Sequence, residues 1–324
     1  MTVSDTVLYL SEAEVASVGV TPDALREVVA SAFAAQARKR GAAAPKSVIN
    51  VAPGHVFQAK PAILRDEGMT AVKWFGLVPA GSTPGPSISS TIILSDIPSG
   101  MAVAIMGGDW ITAKRTAAMT AIAAEHLARR DSVSIGFVGA GVQGHSHLEA
   151  MLRVLPGLKR AVVASRTERS AGALAEAARA RGLEARTVSD PREAVEGMDV
   201  VITTVPEGTA KLEFLDPDWV APGAFVGAVD LARSWMRGKL RSFDLLATDE
   251  HEQTRVLTAS GRMTFAGPYE ADLSELCSGA FAGRTSPAQR VMFNYSGHAL
   301  ADIAGAMLVH RLAREKGIGT LLKR

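Results

Sequence analysis

The chain has 324 residues, of which 47% are hydrophobic and 21% charged, with a formal net charge of +2. That length suits two domains, and the scattered basic residues leave no nucleic-acid footprint. The single cysteine, Cys277, excludes an internal disulfide framework. No apolar run is long enough to cross a bilayer. The first ten residues lack the basic start and apolar core of a signal peptide, so cytoplasm is the expected location.

Along residues 3–109, short apolar runs alternate with turn residues, and one helix interrupts them. Thr21 can cap that helix, Pro22 suits its first position, and Gly41 is expected to follow its end. Strands are expected at 48–51, 56–58, 70–74 and 91–94, with a Gly/Pro-rich loop at 81–86. A long helix over about 110–129 leads into a second pattern. Strand 133–138, helix 143–155, strand 160–164 and helix 169–181 are followed by strands at 199–204, 224–228 and 245–248. Such alternation marks a doubly wound parallel sheet. Over 298–314, Leu300, Ile303, Met307 and Leu308 fall on one helical face. This helix stands outside the alternation and is expected to pack on the first region, while Lys323-Arg324 reads as a mobile tail.

Directly after the expected strand at 133–138 comes Gly139-Ala140-Gly141-Val142-Gln143-Gly144. In this position the first glycine permits a tight turn, the second admits a pyrophosphate, and the third allows close packing of helix on strand. The next strand ends in Ser165-Arg166-Thr167, with Arg169 close behind. NAD sites usually carry a carboxylate there to bind the ribose hydroxyls. Two hydroxyls and a guanidinium instead suit a 2′-phosphate, which favours NADP(H) over NAD(H). Glu168 falls in the first helical turn, where an acid is common for capping reasons.

Lys73 interrupts an apolar run, Ala71-Val72-Lys73-Trp74-Phe75-Gly76. A lysine so placed either emerges at the strand end or serves a site, and the exposed alternative is the commoner. Lys114 and Arg115 are adjacent on a helix and cannot share a face, so one of them is expected to point inward. His145 and His147 lie two apart on a helix and make poor joint metal ligands. Asp249-Glu250-His251-Glu252 reads as a solvated loop or helix start, and no metal is expected. Cys277 has no evident activating neighbour and reads as structural.

The Lys73 run, Ile93-Leu94-Ser95-Asp96 with Gly100, and Ile111-Thr112 with Arg115-Thr116-Ala117-Ala118 resemble the ornithine cyclodeaminase/μ-crystallin family in order and spacing. So do the glycine loop, Phe293, Gly297-His298-Ala299-Leu300 and Asp302. The resemblance covers roughly 11–319. It implies an α/β protein: a Rossmann-type doubly wound parallel sheet over 116–302, plus a discontinuous α+β substrate and dimerisation domain formed by 1–115 with 303–324. It further implies a homodimer and a small amino acid, imino acid or ketimine as substrate.

Under the resemblance, Lys46, Gln58, Lys73 and Arg115 bind substrate, and Lys73 and Asp230 act in proton transfer. Ser87, Arg115, Thr116, Gly139, Gly141, Val142, Gln143, Gly144, Ser165, Arg166, Thr167, Thr204, Val205 and Tyr295 contact cofactor. Without the family, Asp230 is an aspartate after a strand, where a turn role is ordinary. The chain also departs from the cyclodeaminases. Lys46 replaces an arginine, Gln58 a glutamate, Tyr295 a serine, and Leu231-Ala232-Arg233 a proline–glycine–lysine. These departures favour an NADP(H)-dependent imine or ketimine reductase, or the reverse amino acid dehydrogenase. The alternatives are a cyclodeaminase and an NADPH-binding protein with little turnover.

Overall fold

The computed structural model describes residues 5–79, 81–82, 87–206, 212–263 and 265–324. The chain forms two compact units, one of Met1–Arg115 with His298–Arg324, the other of Thr116–Gly297. The chain re-enters the first unit at His298, five residues before the expected 303. His298 caps the last helix, and that helix's first turn is buried within the first unit.

In chain order, β1 (Thr6–Leu10) precedes α1 (Glu12–Ser17) and α2 (Pro22–Ala37). Then come β2 (Gly41–Ala43), β3 (Ser47–Ala52), β4 (His55–Leu64), β5 (Met69–Leu77), β6 (Ile88–Asp96) and β7 (Ala102–Gly107). Helix α3 (Asp109–Leu127) carries the chain into the second unit, which begins after Arg115. That unit holds β8 (Ser134–Val138), α4 (Val142–Val154), β9 (Arg160–Ala164), α5 (Glu168–Arg179), β10 (Glu184–Val188) and β11 (Val200–Thr203). It continues with β12 (Phe225–Ala228), β13 (Leu245–Thr248), α6 (His251–Ala259), β14 (Ala271–Asp272), α7 (Leu273–Ser278) and β15 (Val291–Asn294). The first unit is completed by α8 (Ala299–Lys316) and β16 (Thr320–Lys323).

Thr21 caps α2 as expected, its Oγ1 accepting from the Ala24 N–H at 3.2 Å. Gly41 does not end that helix. Lys39, at φ 59°, makes the left-handed turn, and Gly41 opens β2. A Cβ at Gly41 would lie 3.2 Å from the Ala32 carbonyl oxygen, so close approach to α2 explains the glycine.

The first unit's sheet has the order β16-β1-β7-β6-β5-β4-β2, with β3 also on β4. It is antiparallel apart from β1 with β7. Strand alternation sorts the side chains between its two faces. Gln58, Lys60, Ala62 and Leu64 of β4, with Ala71 and Lys73 of β5, are buried on the face covered by α8. Trp74 and Ile93 point the other way and remain partly exposed. The C-terminus is tied into the sheet, not mobile, because Lys323 pairs with Thr6 and the Arg324 N–H donates to the Asp5 carbonyl.

The second unit's sheet is parallel throughout, in the order β10-β9-β8-β11-β12-β15-β13-β14. The chain runs outward from β8 in one direction and then returns to β11 on its other side. This puts a topological switch point at the C-terminal ends of β8 and β11, where doubly wound sheets bind ligands. Strands β8, β11 and β12 are buried along their whole length, as a sheet covered on both faces requires. The loop expected at 81–86 has Gly81 and Ser82 in a turn, and 83–86 lie outside the described residues.

Candidate active site

In the first unit, Lys73 is 2% exposed, so the apolar run does bury it. Its Nζ donates to Asp302 Oδ1 at 2.7 Å and to Thr112 Oγ1 at 3.0 Å. Arg115 Nε lies 2.8 Å from the same Asp302 oxygen. Thr112 and Arg115 are one turn apart on α3, and Asp302 enters from the first turn of α8. Of the adjacent pair, Arg115 points inward and Lys114 is half-buried. Lys60 stands opposite Lys73 in the β4–β5 register. Both ammonium groups lie over the Phe75 ring, at 5.0 and 5.7 Å from its centroid. Gln58 is buried two residues earlier on the same face, and half-buried Lys46 precedes β3.

The electrostatics follow from burial and this crowding. Burial alone would raise the Asp302 carboxyl, but Arg115, Lys73 and Lys60 outweigh it and hold it at about 2. Burial presses Lys73 well below the ordinary lysine value. Asp302 resists this, while Arg115 and Lys60 reinforce it. Burial, then Lys46, keep His298 neutral with a pKa of about 3. Its Nδ1 is free to accept from the Leu300 N–H at 3.2 Å and so caps α8. Asp302 Oδ2 is buried and has no hydrogen-bond partner among the described residues. Among the groups acting on Lys73, Asp302 and His298, the only carboxylate is Asp302 and the rest are cationic.

The second unit presents the glycine loop between β8 and α4. Gly139 has φ 105°, and a Cβ there would meet Thr204 Oγ1 at 2.5 Å. Gly141 has open space where its Cβ would stand, whereas a Cβ at Gly144 would lie 2.9 Å from the Gly139 carbonyl. These are the turn, the open approach and the close packing that a dinucleotide fingerprint needs. No side chain caps the N-terminus of α4, which leaves its first N–H groups for a phosphate. Val142 is 70% exposed beside them. Buried Gln143 Oε1 and Thr204 Oγ1 have no hydrogen-bond partner among the described residues. These features fit a dinucleotide.

Val205 packs beside the core that β11 and β12 share. After β9, Thr167 caps α5 and the Ser165 hydroxyl meets Ser170 at 2.8 Å, so both hydroxyls have protein partners. Arg166 is exposed and makes no ion pair among the described residues.

Asp230 follows β12 and is 4% exposed. Its Oδ1 accepts from Thr203 Oγ1 at 2.9 Å, and burial raises its pKa despite the Ser234 and Thr203 hydroxyls. Leu231 and Ala232, just beyond it, have φ of 61° and 54°. Two consecutive left-handed non-glycine residues store roughly 1–3 kcal/mol each, a cost that concentrates at functional sites. Identifying this turn takes backbone angles, and the residue types alone give no sign of it.

Tyr295, expected at the cofactor, is 1% exposed. Its hydroxyl donates to the Thr116 carbonyl at 2.9 Å and lies 2.7 Å from Thr120 Oγ1. The ring stacks on Phe293 at 4.7 Å, so the side chain braces the second unit. Thr116 is likewise buried within α3. His147 completes this cluster. Its Nδ1 faces the Gln143 carbonyl at 2.7 Å and so carries the proton, leaving Nε2 to accept from Thr120 at 2.9 Å. Burial lowers its pKa to about 4. Ser87 is half-buried just before β6, its carbonyl accepting from the Val78 N–H.

Glu250 caps α6, as a helix start should. Ligand atoms of His251, Asp272 and Glu275 fall within 4.8 Å of one another, but Asp272 and Glu275 form the capping box of α7. Burial raises the Cys277 thiol to about 12, which makes it unreactive. The residues missed in sequence are Asp302, Lys60 and His298. Asp302 and His298 stood in the tail motif without an assigned role. Lys60 could have been found from its spacing, two residues after Gln58 on an alternating strand.

The model of the ornithine cyclodeaminase/mu-crystallin family matches residues 7–317. A ketimine reductase mu-crystallin of Rattus norvegicus is 34% identical, covering 69% of this chain and 70% of its own. The solved Δ1-pyrroline-2-carboxylate reductase of Thermococcus litoralis, in complex with NADH and L-proline, superposes with a TM-score of 0.87. It is 27% identical and covers 97% of this chain and 99% of its own. An archaeal alanine dehydrogenase dimer with bound NAD gives a TM-score of 0.88 at 26% identity, over 98% and 99% of the two chains. These relatives are oxidoreductases that act on C=N or CH–NH2 groups.

Proposed function

The chain belongs to the ornithine cyclodeaminase/mu-crystallin family, and from that premise we propose that it is an NADP(H)-dependent reductase of an α-imino acid or cyclic ketimine. The product is an L-amino acid, and the reverse reaction is an amino acid dehydrogenation. The observation that carries this is the buried Lys73–Asp302–Arg115 cluster, a cationic site suited to a carboxylate. The first unit is then the substrate domain and the second the dinucleotide domain.

Reduction adds a hydride to the imine carbon and a proton to its nitrogen. A bound nicotinamide supplies or takes that hydride. Arg115 holds the carboxylate through paired donors, with Lys73, Lys46 and Gln58 beside it. In this reading Lys73, its pKa lowered by burial, and Asp230, its pKa raised by burial, hold or move the proton. The α4 N-terminus with Gly139, Gly141, Val142, Gln143 and Gly144 holds the pyrophosphate. Arg166 with Ser165 and Thr167 takes the 2′-phosphate, which favours NADP(H).

A homodimer is proposed through the outer face of the first unit's sheet, where Ile49, Val51 and Trp74 are 54%, 55% and 43% exposed. No described helix is long and apolar enough to cross a membrane, and cytoplasm is the proposed location.

The test is oxidation of NADPH, with NADH in parallel, against a panel of imines formed in situ and cyclic ketimines. Substrate-dependent oxidation that falls at least tenfold in kcat/KM in Arg115→Ala supports the assignment. Unchanged kcat/KM in that variant would sink it.

A further inference from the structure

Resting on the reductase assignment, we infer that the substrate carries two carboxylates and that Lys60, facing the site beside Lys73, holds the second one. Lys60 is 7% exposed, although lysine is seldom buried without a site to serve. Its place is fixed by the β4–β5 register, which sets it opposite Lys73 on one face of the sheet. Both ammonium groups lie against the Phe75 ring, at 5.0 and 5.7 Å from its centroid. Arg115 approaches from α3 through Asp302, and Lys46 is near enough to act on His298. Arg115, Lys73 and Lys60 thus act on the one carboxylate, Asp302, and Lys46, Arg115 and Lys60 on the neutral imidazole of His298.

A substrate with a single carboxylate is fully served by Arg115 and Lys73. Two carboxylates, one at each end of a short chain, match the spread of charge from Arg115 across Lys73 to Lys60. The N-terminus of α8 adds its own positive end to the same region. Burial and the neighbouring cations lower the Lys73 pKa, and Asp302 raises it. A second carboxylate beside Lys60 and Lys73 adds to the counter-charge that Asp302 supplies.

Calorimetry on the wild-type protein with L-aspartate and L-alanine tests this without turnover. Tighter binding of L-aspartate is expected. In Lys60→Met the ratio of the two affinities should fall by roughly tenfold to a hundredfold, the value of a charge-assisted contact. Lys60→Arg should keep it. Equal or tighter binding of L-alanine, or an unchanged ratio in Lys60→Met, overturns the inference. The kinetic arm compares imines formed from oxaloacetate and from pyruvate with ammonia. Higher kcat/KM for the pyruvate-derived imine overturns the dicarboxylate inference while leaving the reductase standing. Oxidation of cofactor with neither imine nor with cyclic ketimines counts against the reductase itself.

Discussion

Replacing Asp302 by asparagine keeps the shape of the side chain and removes the charge that Lys73 and Arg115 share. Lowering this carboxyl from 3.8 to about 2 is a stability statement worth on the order of 2 kcal/mol at neutral pH. Breaking a buried pair by removing one partner costs about 3–5 kcal/mol. Lys73 can shed its proton and soften the loss, so about 3 kcal/mol is expected, a fall in Tm on the order of 5–10 °C.

Because the folded-state pKa is depressed, the contribution is fully present above about pH 4 and is lost as pH falls toward 2. Thermal and urea unfolding of wild type and Asp302→Asn between pH 3 and 8 measure both features. A Tm difference under about 1 °C, or a stability gap that stays flat or widens as pH is lowered, would refute the electrostatic role given to Asp302.

Other changes probe the remaining parts. Gly139→Ala places a methyl 2.5 Å from Thr204 Oγ1 at a left-handed φ; dinucleotide affinity, read by cofactor fluorescence, should drop at least tenfold while the fold persists by circular dichroism. Arg166→Ala should raise KM for NADPH roughly tenfold or more and leave KM for NADH within a factor of two, and equal effects on both would remove the 2′-phosphate role. Asp230→Asn should lower kcat by about 10²–10⁴-fold and flatten the limb of the pH–rate profile that reports its raised pKa. Trp74→Glu, on the outer sheet face, should shift the dimer to monomer in analytical ultracentrifugation.

The parts of the fold legible in sequence are those set by local chemistry. Thr21 and Pro22 announce α2, and apolar runs alternating with helices announce the parallel sheet. The glycine loop is legible because each glycine answers a backbone requirement. Strand β16 was not, because Thr320–Lys323 owes its order to pairing with β1 at the far end of the chain. Lys73 illustrates the same limit at the site. Residue frequencies favour an exposed lysine, and only Asp302, more than two hundred positions away, makes its burial tolerable. Tyr295 erred in the other direction, since an aromatic in a functional tail motif can as readily brace the core. The fourth cation, Lys60, follows Gln58 by two on an alternating strand, and the β4–β5 register sets it opposite Lys73.

Transfer of deuterium from C4-labelled NADPH to the α-carbon of the product tests the central claim most directly. The account predicts one deuteron at that carbon and one cofactor oxidised per amino acid formed. Ammonia release from a diamino acid with no net oxidation of cofactor would contradict it and assign the chain to cyclodeamination.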